Sequence, residues 1–376
     1  MKFVERIHRL AEKVDKDEFG ILLRKNGIGS TDLLTLEEGI FGKAEYQNAG
    51  ESIKARTWAA IEYLKRKELE DKEEILAATS SNFGKAGVFL GRNGVRNNKV
   101  YRFFMSEKAD EELSDQVQKI RDFGDQVKFE MFPGSICPAA TDDEEFKEEY
   151  GGVSRGKPIA AARAWGETDN KAINFDQYRD IGNPLAHYLT TGEEIVSQIE
   201  NTGEDLNCFV CSLGTCGSFL GIALRLKDYD EGIKLVAAIP EDNQHERDNH
   251  YQHGLRSKSE LGATKFWNEA KKMADEIHEV GDGEAFSGMI ELWEKGIPAG
   301  ISSGTNWHCI KEREVRTNRG VVTLIPDSPE RYGEYLRIHL KEVIGVSFSS
   351  YKEIHSELSV RAKEERDKHI NSLKNS

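Results

Sequence analysis

The sequence predicts an α/β protein of two domains built on mainly parallel sheets. The chain has 376 residues, too many for one small core. Short apolar runs also alternate with stretches of helical period. Glu74–Ala78 leads through a small polar turn into a helical pattern, and Cys208–Ser212 leads through a glycine-rich turn into Phe219–Leu226. Repeated strand, turn and helix are the mark of βαβ units, whose crossovers make neighbouring strands parallel.

The elements follow in order. Residues 1–27 predict one or two helices and a linker ending in Asn26-Gly27-Ile28-Gly29. Leu33–Leu36 and Phe41–Glu45 are short strand candidates about a Glu-Glu-Gly turn. Ser52 is placed to cap a helix through Trp58, Ile61 and Leu64, which puts Lys54 in its first turn. After the strand Glu74–Ala78, residues 79–84 form a turn and a helix starts at Lys85. Val100–Met105 is a strand, Ser106 opens a helix, Gly124 ends one, and Val127–Glu130 is the next strand. Residues 133–170 are irregular, with an acidic run Asp142–Glu149 that reads as a solvated helix face and a short helix Ile159–Trp165.

Ile173–Tyr178 returns to strand. Asn183-Pro184 and Thr190-Thr191-Gly192 are turn and cap signals before a helix Glu193–Ile199. In the second half, the strand Cys208–Ser212, the turn Gly214–Ser218, the helix Phe219–Leu226 and the strand Lys234–Ile239 repeat the pattern. Residues 241–262 are polar and irregular, and Asp282–Gly296 is a helix by the spacing of Phe286, Met289 and Trp293. A further helix follows Gly304, Val321–Ile325 is a last strand, and residues 352–376 form a charged surface helix or a partner contact.

Composition narrows the function. The net charge of −14 argues against a nucleic-acid partner and against anionic membranes, while leaving room for a local pocket that takes a small anion. No apolar run approaches the ~18 residues of a membrane span. The amphipathic start MKFVERIHRLAEKV has no apolar signal core. With an odd count of five cysteines, this points to a reducing, cytoplasmic setting. Cys208-x-x-Cys211 lies in a strand-like apolar run and lacks a second ligand pair, so it reads as buried thiols. His245, His250 and His253 show no metal-ligand geometry, and no metal is expected.

The chemistry centres on Asn48-Ala-Gly-Glu-Ser-Ile-Lys54-Ala-Arg56. Alone, a lysine in so charged a chain is a solvated surface group. Other segments supply what a cofactor-bearing lysine needs. Pyridoxal phosphate requires an amine for the Schiff base, a cradle for its phosphate, a partner for its pyridine nitrogen and a donor near its ring hydroxyl. Gly214, Thr215, Cys216, Gly217 and Ser218 open a helix, so backbone N–H groups, two hydroxyls and the helix dipole can face an anion. The turn is neither a G-x-G-x-x-G dinucleotide fingerprint nor a nucleotide P-loop.

In this order the segments resemble the cysteine synthase family, pyridoxal-phosphate enzymes of the tryptophan-synthase β fold. The family's Asn-Pro-Gly-Gly-Ser-x-Lys-Asp-Arg matches 48–56, and its Thr-Ser-Gly-Asn-Thr-Gly loop matches Thr79-Ser-Ser-Asn82-Phe-Gly84. Its Gly-Thr-Gly-Gly-Thr turn matches 214–218, and Gly-Ile-Ser-Ser-Gly stands unchanged at 300–304. Pro-x-Ser-Gly-Glu-Arg-Tyr appears as Pro326-Asp-Ser-Pro-Glu-Arg-Tyr332, and Gln177-Tyr178, Asn183-Pro184, His187 and Thr190–Gly192 also fit. The likeness spans roughly residues 30–335.

The resemblance implies two α/β domains in three αβα layers, with the cofactor in the cleft between them. Residues 1–45 and 190–376 would form the larger, phosphate-binding domain, and 46–189 the smaller, mobile one. Lys54 would carry the cofactor and move protons at Cα. Asn82 would bond the ring hydroxyl, residues 214–218 would hold the phosphate, and Ser302 would meet the pyridine nitrogen. Thr79, Ser80, Ser81, Phe83 and Gln177 would bind the substrate carboxylate. The implied reaction is β-replacement on O-acetylserine or another activated serine through an aminoacrylate, giving cysteine or a related amino acid, in a homodimer. Two alternatives stand beside it. One is β-elimination, or a synthase using ammonia or homocysteine. The other is a silent cofactor-binding regulatory relative.

The chain departs from the family at Ser81, Phe83 and Cys216, and in having Ala55 after the lysine. Phe83 is expected to narrow or reshape the substrate pocket. Arg256 could receive an anionic leaving group such as phosphate, although a lone arginine in a polar loop reads first as a surface residue.

Overall fold

The computed structural model describes residues 2–93, 98–133, 158–245, 249–261, 264–312 and 320–375. The acidic run Asp142–Glu149 and Cys137 fall outside them. Among the described residues ten strands form two sheets. The larger sheet holds β1 (Leu33–Glu37), β2 (Ile40–Ala44), β7 (Cys208–Ser212), β8 (Lys234–Pro240), β9 (Glu276–Val280) and β10 (Val321–Ile325). Their order is β1-β2-β10-β7-β8-β9. Only the hairpin β1/β2 is antiparallel; β10 lies parallel between β2 and β7, with Val321 opposite both Ile40 and Cys208. The smaller sheet is parallel throughout, in the order β5 (Val127–Phe132), β4 (Val100–Ser106), β3 (Glu74–Ala78), β6 (Ala172–Asn174).

Strand residues are buried on both faces because helices cover both sides. All five residues of β10 are buried, as are the last four of β3. This is why those strands read as continuous apolar runs rather than alternating ones. The helix Lys54–Leu64 buries Trp58 and Ile61 completely. Trp58 meets Phe83 and Phe175 at centroid distances of 4.8 and 4.9 Å. The helices Gly182–Leu189 and Gly217–Tyr229 pack backbone to backbone: a Cβ on Gly221 would lie 2.1 Å from the carbonyl oxygen of Pro184.

Several elements differ from the sequence expectation. Ser52 does not cap its helix. Its hydroxyl has no partner, and Ser52 instead bridges Asp327 while Ile53 N–H donates to the Pro326 carbonyl at 2.9 Å. The helix expected from Lys85 begins at Asn82, and that expected after Gly304 begins at Ile301. The strand expected over 173–178 stops at Asn174. Beyond it the Asp176 side chain accepts from Tyr178 N–H at 3.0 Å and from Arg163 at 2.6 Å, which turns the chain away from the sheet. Asn183-Pro184 is not a turn but the start of a helix, where proline is tolerated in the first turn. β9 was not anticipated.

The C-terminal helix Lys352–Asn375 is not merely a surface helix. It buries Leu358, Ala362, Arg366 and Leu373. Tyr46 donates to Glu365 at 2.5 Å, and a Cβ on Gly27, whose φ is +68°, would lie 2.9 Å from Ile370. No helix among the described residues is long and apolar enough to cross a membrane.

Candidate active site

Three strands deliver the site at their C-terminal ends. β3 runs into Thr79–Phe83, β7 into the Gly214–Ser218 turn, and β10 into Pro326–Arg331. In parallel α/β sheets this edge is where ligands bind. Lys54, the first residue of its helix, faces the same space. Two adjoining hollows share it. One is bordered by Lys54, Thr79, Ser80, Asn82, Phe83 and Gln177. The other is bordered by Lys54, Asn82, Cys216, Ser218 and Ser302, and both touch Gly214 and Thr215. Of the expected site residues, Ser81 and Gly217 border neither hollow. Ser81 is fully buried, with its N–H donating to Thr79 Oγ1 at 3.1 Å. Gly217 is held against Asn183, where a Cβ would fall 2.2 Å from the amide.

The Lys54 anchor is rigid. Arg56, two residues on, is fully buried. It donates to both oxygens of Glu45 at 2.7 Å and to Glu194 at 2.6 and 2.8 Å, and Lys43 pairs with Glu194 at 2.8 Å. Charges this deep are tolerable because each is met by a forked partner. The lysine amine itself is pushed down to about 8, by burial first and then by the nearby Arg331 and Arg256 guanidiniums. At neutral pH it is closer to its nucleophilic, proton-accepting form than a surface lysine.

The glycine-rich turn is locked from beneath. Cys216 takes a left-handed conformation, φ 64° and ψ −6°, just before the helix Gly217–Tyr229. The family carries glycine at this point, and the positive φ accounts for it. Asn183 Nδ2 donates to Thr215 Oγ1 at 2.8 Å and to the Gln177 carbonyl at 2.7 Å, while Thr57 Oγ1 donates to Asn183 Oδ1 at 3.1 Å. His187 Nε2 lies 3.2 Å from Thr57 Oγ1 and 3.4 Å from Ser218 Oγ, and its Nδ1 lies 2.9 Å from Thr191 Oγ1. Burial, then the charges of Arg56 and Lys54, hold the His187 pKa well below its usual value, so the ring is neutral. The roof is the 253–256 segment: a Cβ on Gly214 would lie 2.3 Å from the Gly254 carbonyl, and Arg256 N–H donates to the Leu213 carbonyl at 2.9 Å.

Arg256 is a correction to the sequence reading. It is not a surface residue but 3% exposed, on the wall of the hollow that holds Lys54 and Ser80. Its guanidinium carbon stands 4.9 Å from the centre of the Tyr178 ring. Phe83 borders the hollow that it was expected to narrow or reshape, and its buried ring packs on Trp58.

Sequence reasoning assigned no role to Asp327, Arg331 or His253, and all three border the site. The Asp327 carboxylate accepts from Asn82 Nδ2 at 2.8 Å, from Arg331 Nη1 at 3.1 Å and from the Tyr332 hydroxyl at 3.0 Å. Arg331 Nη2 donates to His253 Nδ1 at 2.5 Å. Burial and Arg331 keep His253 neutral. His253 had been weighed only as a metal ligand, and the signal for Asp327 and Arg331 was the Pro326–Tyr332 motif. Its arginine and aspartate are four apart, which puts them in reach of one another. His245 pairs with Asp282 at 2.8 Å and His250 with Glu260 at 3.0 Å. Among the described residues no cluster of three or more His, Cys, Asp or Glu is gathered as a metal would need.

These residues fit pyridoxal phosphate. A depressed lysine amine and a helix-opening anion cradle border one hollow with a neutral hydroxyl, Ser302. Asn82 Oδ1 is a buried acceptor left without a partner at that hollow's edge, the kind of atom a bound group satisfies.

Comparison with known proteins agrees. A 308-residue stretch is 29% identical to a cysteine synthase of Staphylococcus aureus, covering 78% of this chain and 87% of that one. Mouse cystathionine beta-synthase is 28% identical over 339 residues, 83% of this chain and 52% of that one. Among solved structures, a hydrogen sulfide-producing enzyme from Fusobacterium nucleatum superposes with a TM-score of 0.66 at 24% identity, covering 82% of this chain and 98% of the other. That likeness shows the two-domain αβα fold of the tryptophan-synthase β type. The family model described as "Pyridoxal-phosphate dependent enzyme" matches residues 25–327, four-fifths of the chain and every segment that borders the cleft except Arg331, and to that family the chain belongs.

Proposed function

We propose that the protein carries out β-replacement on an activated serine with an anionic leaving group, phosphate before acetate, using a small nucleophile such as sulfide to give cysteine or a close relative. One observation carries this reading: a second cation, Arg256, is buried on the wall of the hollow that also holds the hydroxyls of Thr79 and Ser80 and the amine of Lys54. A substrate with two anionic ends matches that wall. The related cysteine synthases support the reaction class.

In this reading the Thr79–Phe83 loop and Gln177 hold the substrate carboxylate, with N–H groups at a helix start and two hydroxyls as donors. The turn 214–218 holds the cofactor phosphate, and Asn82 faces the ring hydroxyl. Lys54 Nζ holds the cofactor and, once released, takes the proton from substrate Cα; a pKa near 8 suits a base working close to neutral pH. When bound, the cofactor's ring withdraws the electron pair left at Cα. Ser302 offers its nitrogen a neutral hydroxyl, and Asp327 is occupied by Asn82, Arg331 and Tyr332, so no free carboxylate forces that nitrogen to stay protonated. Arg256 draws the leaving group off Cβ, and the nucleophile adds there. Residues 46–189 are proposed as the smaller lobe that closes over the substrate.

The test is a product assay. The protein with O-phosphoserine and sulfide should yield cysteine, faster than with O-acetylserine. Lys54→Ala should abolish it. Pyruvate and ammonia as main products would move the reading to β-elimination. No product from any β-substituted serine would favour a silent cofactor-binding role. A homodimer is proposed from the family and checked by light scattering.

A further inference from the structure

A second cavity, of 490 Å3, lies under the C-terminal helix and shares no lining residue with the Lys54 cleft. Its size falls within the roughly 300–1,000 Å3 of small-molecule sites. One wall is apolar, made of Val88, Phe89, Phe123 and Ile370. The other side is cationic. Lys85 and Lys119 reach the Glu51 carboxylate at 2.6 and 3.0 Å, and Arg366 approaches it to 3.9 Å while pairing with Glu330 at 2.6 Å. Lys374 stands at the exposed edge, and among the described residues Asp367 is the only further carboxylate bordering the space. The cations outnumber the carboxylates that face them. Burial first, and then Lys119 beside it, push the Lys85 amine down to about 8 despite the contact with Glu51.

We propose that this cavity binds a small carboxylate with an apolar body and acts as an effector site. The carboxylate would join Glu51 among Lys85, Lys119 and Lys374, and the body would lie on Phe89, Phe123 and Ile370. Inorganic phosphate would leave the apolar wall uncovered. The connection to the cleft is short. Glu51 is three residues before Lys54, in a left-handed conformation with φ 67° that a change of charge partners can disturb. Arg366 holds Glu330, the neighbour of Arg331. An occupant therefore alters the partners of Glu51, in the segment that carries Lys54, and lies beside Arg366, which holds the segment that carries Arg331. The binding site and its titration stand apart from the substrate reading, whereas the effector role rests on it.

Isothermal titration of hexanoate into the cofactor-loaded full chain, at low salt, tests this, with hexylamine and inorganic phosphate as controls. Hexanoate should bind and both controls should bind at least about tenfold more weakly. Lys119→Gln with Lys374→Gln, the first side chain half-exposed and the second exposed, should weaken hexanoate by about tenfold while leaving circular dichroism and cofactor absorbance unchanged. Saturating hexanoate should change the affinity for O-phosphoserine or O-acetylserine, read from the cofactor band, by about 2–5-fold in the wild type and not in the double variant. No binding, equal binding of hexylamine, or an affinity untouched by the double substitution would overturn the site. Binding with the cofactor band and the substrate affinity unmoved would overturn its effector role.

Discussion

Replacing Arg256 by alanine should strip the enzyme of its preference for a phosphorylated substrate. The guanidinium is 3% exposed and braced over Tyr178 at 4.9 Å, so under the proposed function it would meet the leaving group in a water-poor space without first having to order itself. A charge-assisted contact made there contributes about 2–4 kcal/mol, which corresponds to roughly 30–1,000-fold in kcat/KM for O-phosphoserine. The acetyl group is neutral, and its loss should stay within about 1 kcal/mol, or roughly fivefold. The ratio of the two specificity constants is therefore the quantity to measure, by coupled detection of cysteine at fixed sulfide. It should fall by at least about tenfold in Arg256→Ala and be largely kept in Arg256→Lys, which preserves charge but not the planar fork. Circular dichroism and cofactor absorbance guard against a folding defect. If both substrates lose activity equally, Arg256 supports the 214 turn rather than the leaving group. If the wild type prefers O-acetylserine, the anionic-substrate reading fails outright.

Four further outcomes are expected. Competitive acetylation of the cofactor-free protein, followed by peptide mapping, should show Lys54 titrating with a midpoint near 8, against 10.5 for an ordinary lysine; Arg256→Ala should raise it, and an unshifted midpoint in the wild type would contradict the buried, cation-flanked setting. Arg56→Met should cost about 3–5 kcal/mol in urea denaturation, because Glu45 is then buried without its cation and Glu194 keeps only Lys43; a loss under 1 kcal/mol would show that water enters the site. Glu194 and Glu51 are held below their ordinary 4.5, the cost of burial being outweighed by Arg56 and Lys43 for one and by Lys85, Lys119 and Arg366 for the other. Unfolded chains then bind more protons near that value, so this stability is present above pH 4.5 and lost as pH falls below it, and the melting temperature should drop on acidification in a way that Glu194→Gln blunts. Gly214→Ala should weaken cofactor binding by at least about tenfold, since its Cβ would fall 2.3 Å from the Gly254 carbonyl and push the roof off the turn.

What could be read from the chain follows from how local each feature is. β3, β7, β8 and β10 were legible because both faces of each are covered, leaving unbroken apolar runs between turn residues. β9 was hidden for the opposite reason. It is an edge strand, Glu-Ile-His-Glu-Val, with only its third and fifth residues buried. The helix Gly182–Leu189 was masked by Asn183-Pro184, which local chemistry reads as a turn. The structure uses the proline at a helix start and the asparagine as a brace for Thr215. Lys54, the Thr79 loop, the 214 turn and Ser302 were found because motif spacing travels with the sequence. Arg256 was named but read first as a surface residue, because its burial depends on Gly254 lying across Gly214, a contact between loops 40 residues apart that no local pattern records.

The same contrast explains why the lysine's environment, more than its motif, decides what the protein can do. The segment 48–56 names a candidate amine, but its ordinary chemistry would be that of a solvated ammonium. Three arginines, two of them distant in sequence, change it. Arg56 fixes the helix from behind through Glu45 and Glu194. Arg331, tied to Asp327 and His253, and Arg256, laid over Tyr178, bring positive charge to the front. Burial and these two front charges lower the amine's pKa, and the same charges leave a cleft that attracts anions in a protein of net charge −14. An acidic surface with a cationic cleft favours small anionic ligands over polyanions, because only a small ligand reaches the positive field without crossing the negative one. Raising the ionic strength should therefore weaken the binding of a doubly charged substrate less than it would at an exposed basic patch, since screening by salt acts mainly on charges open to solvent.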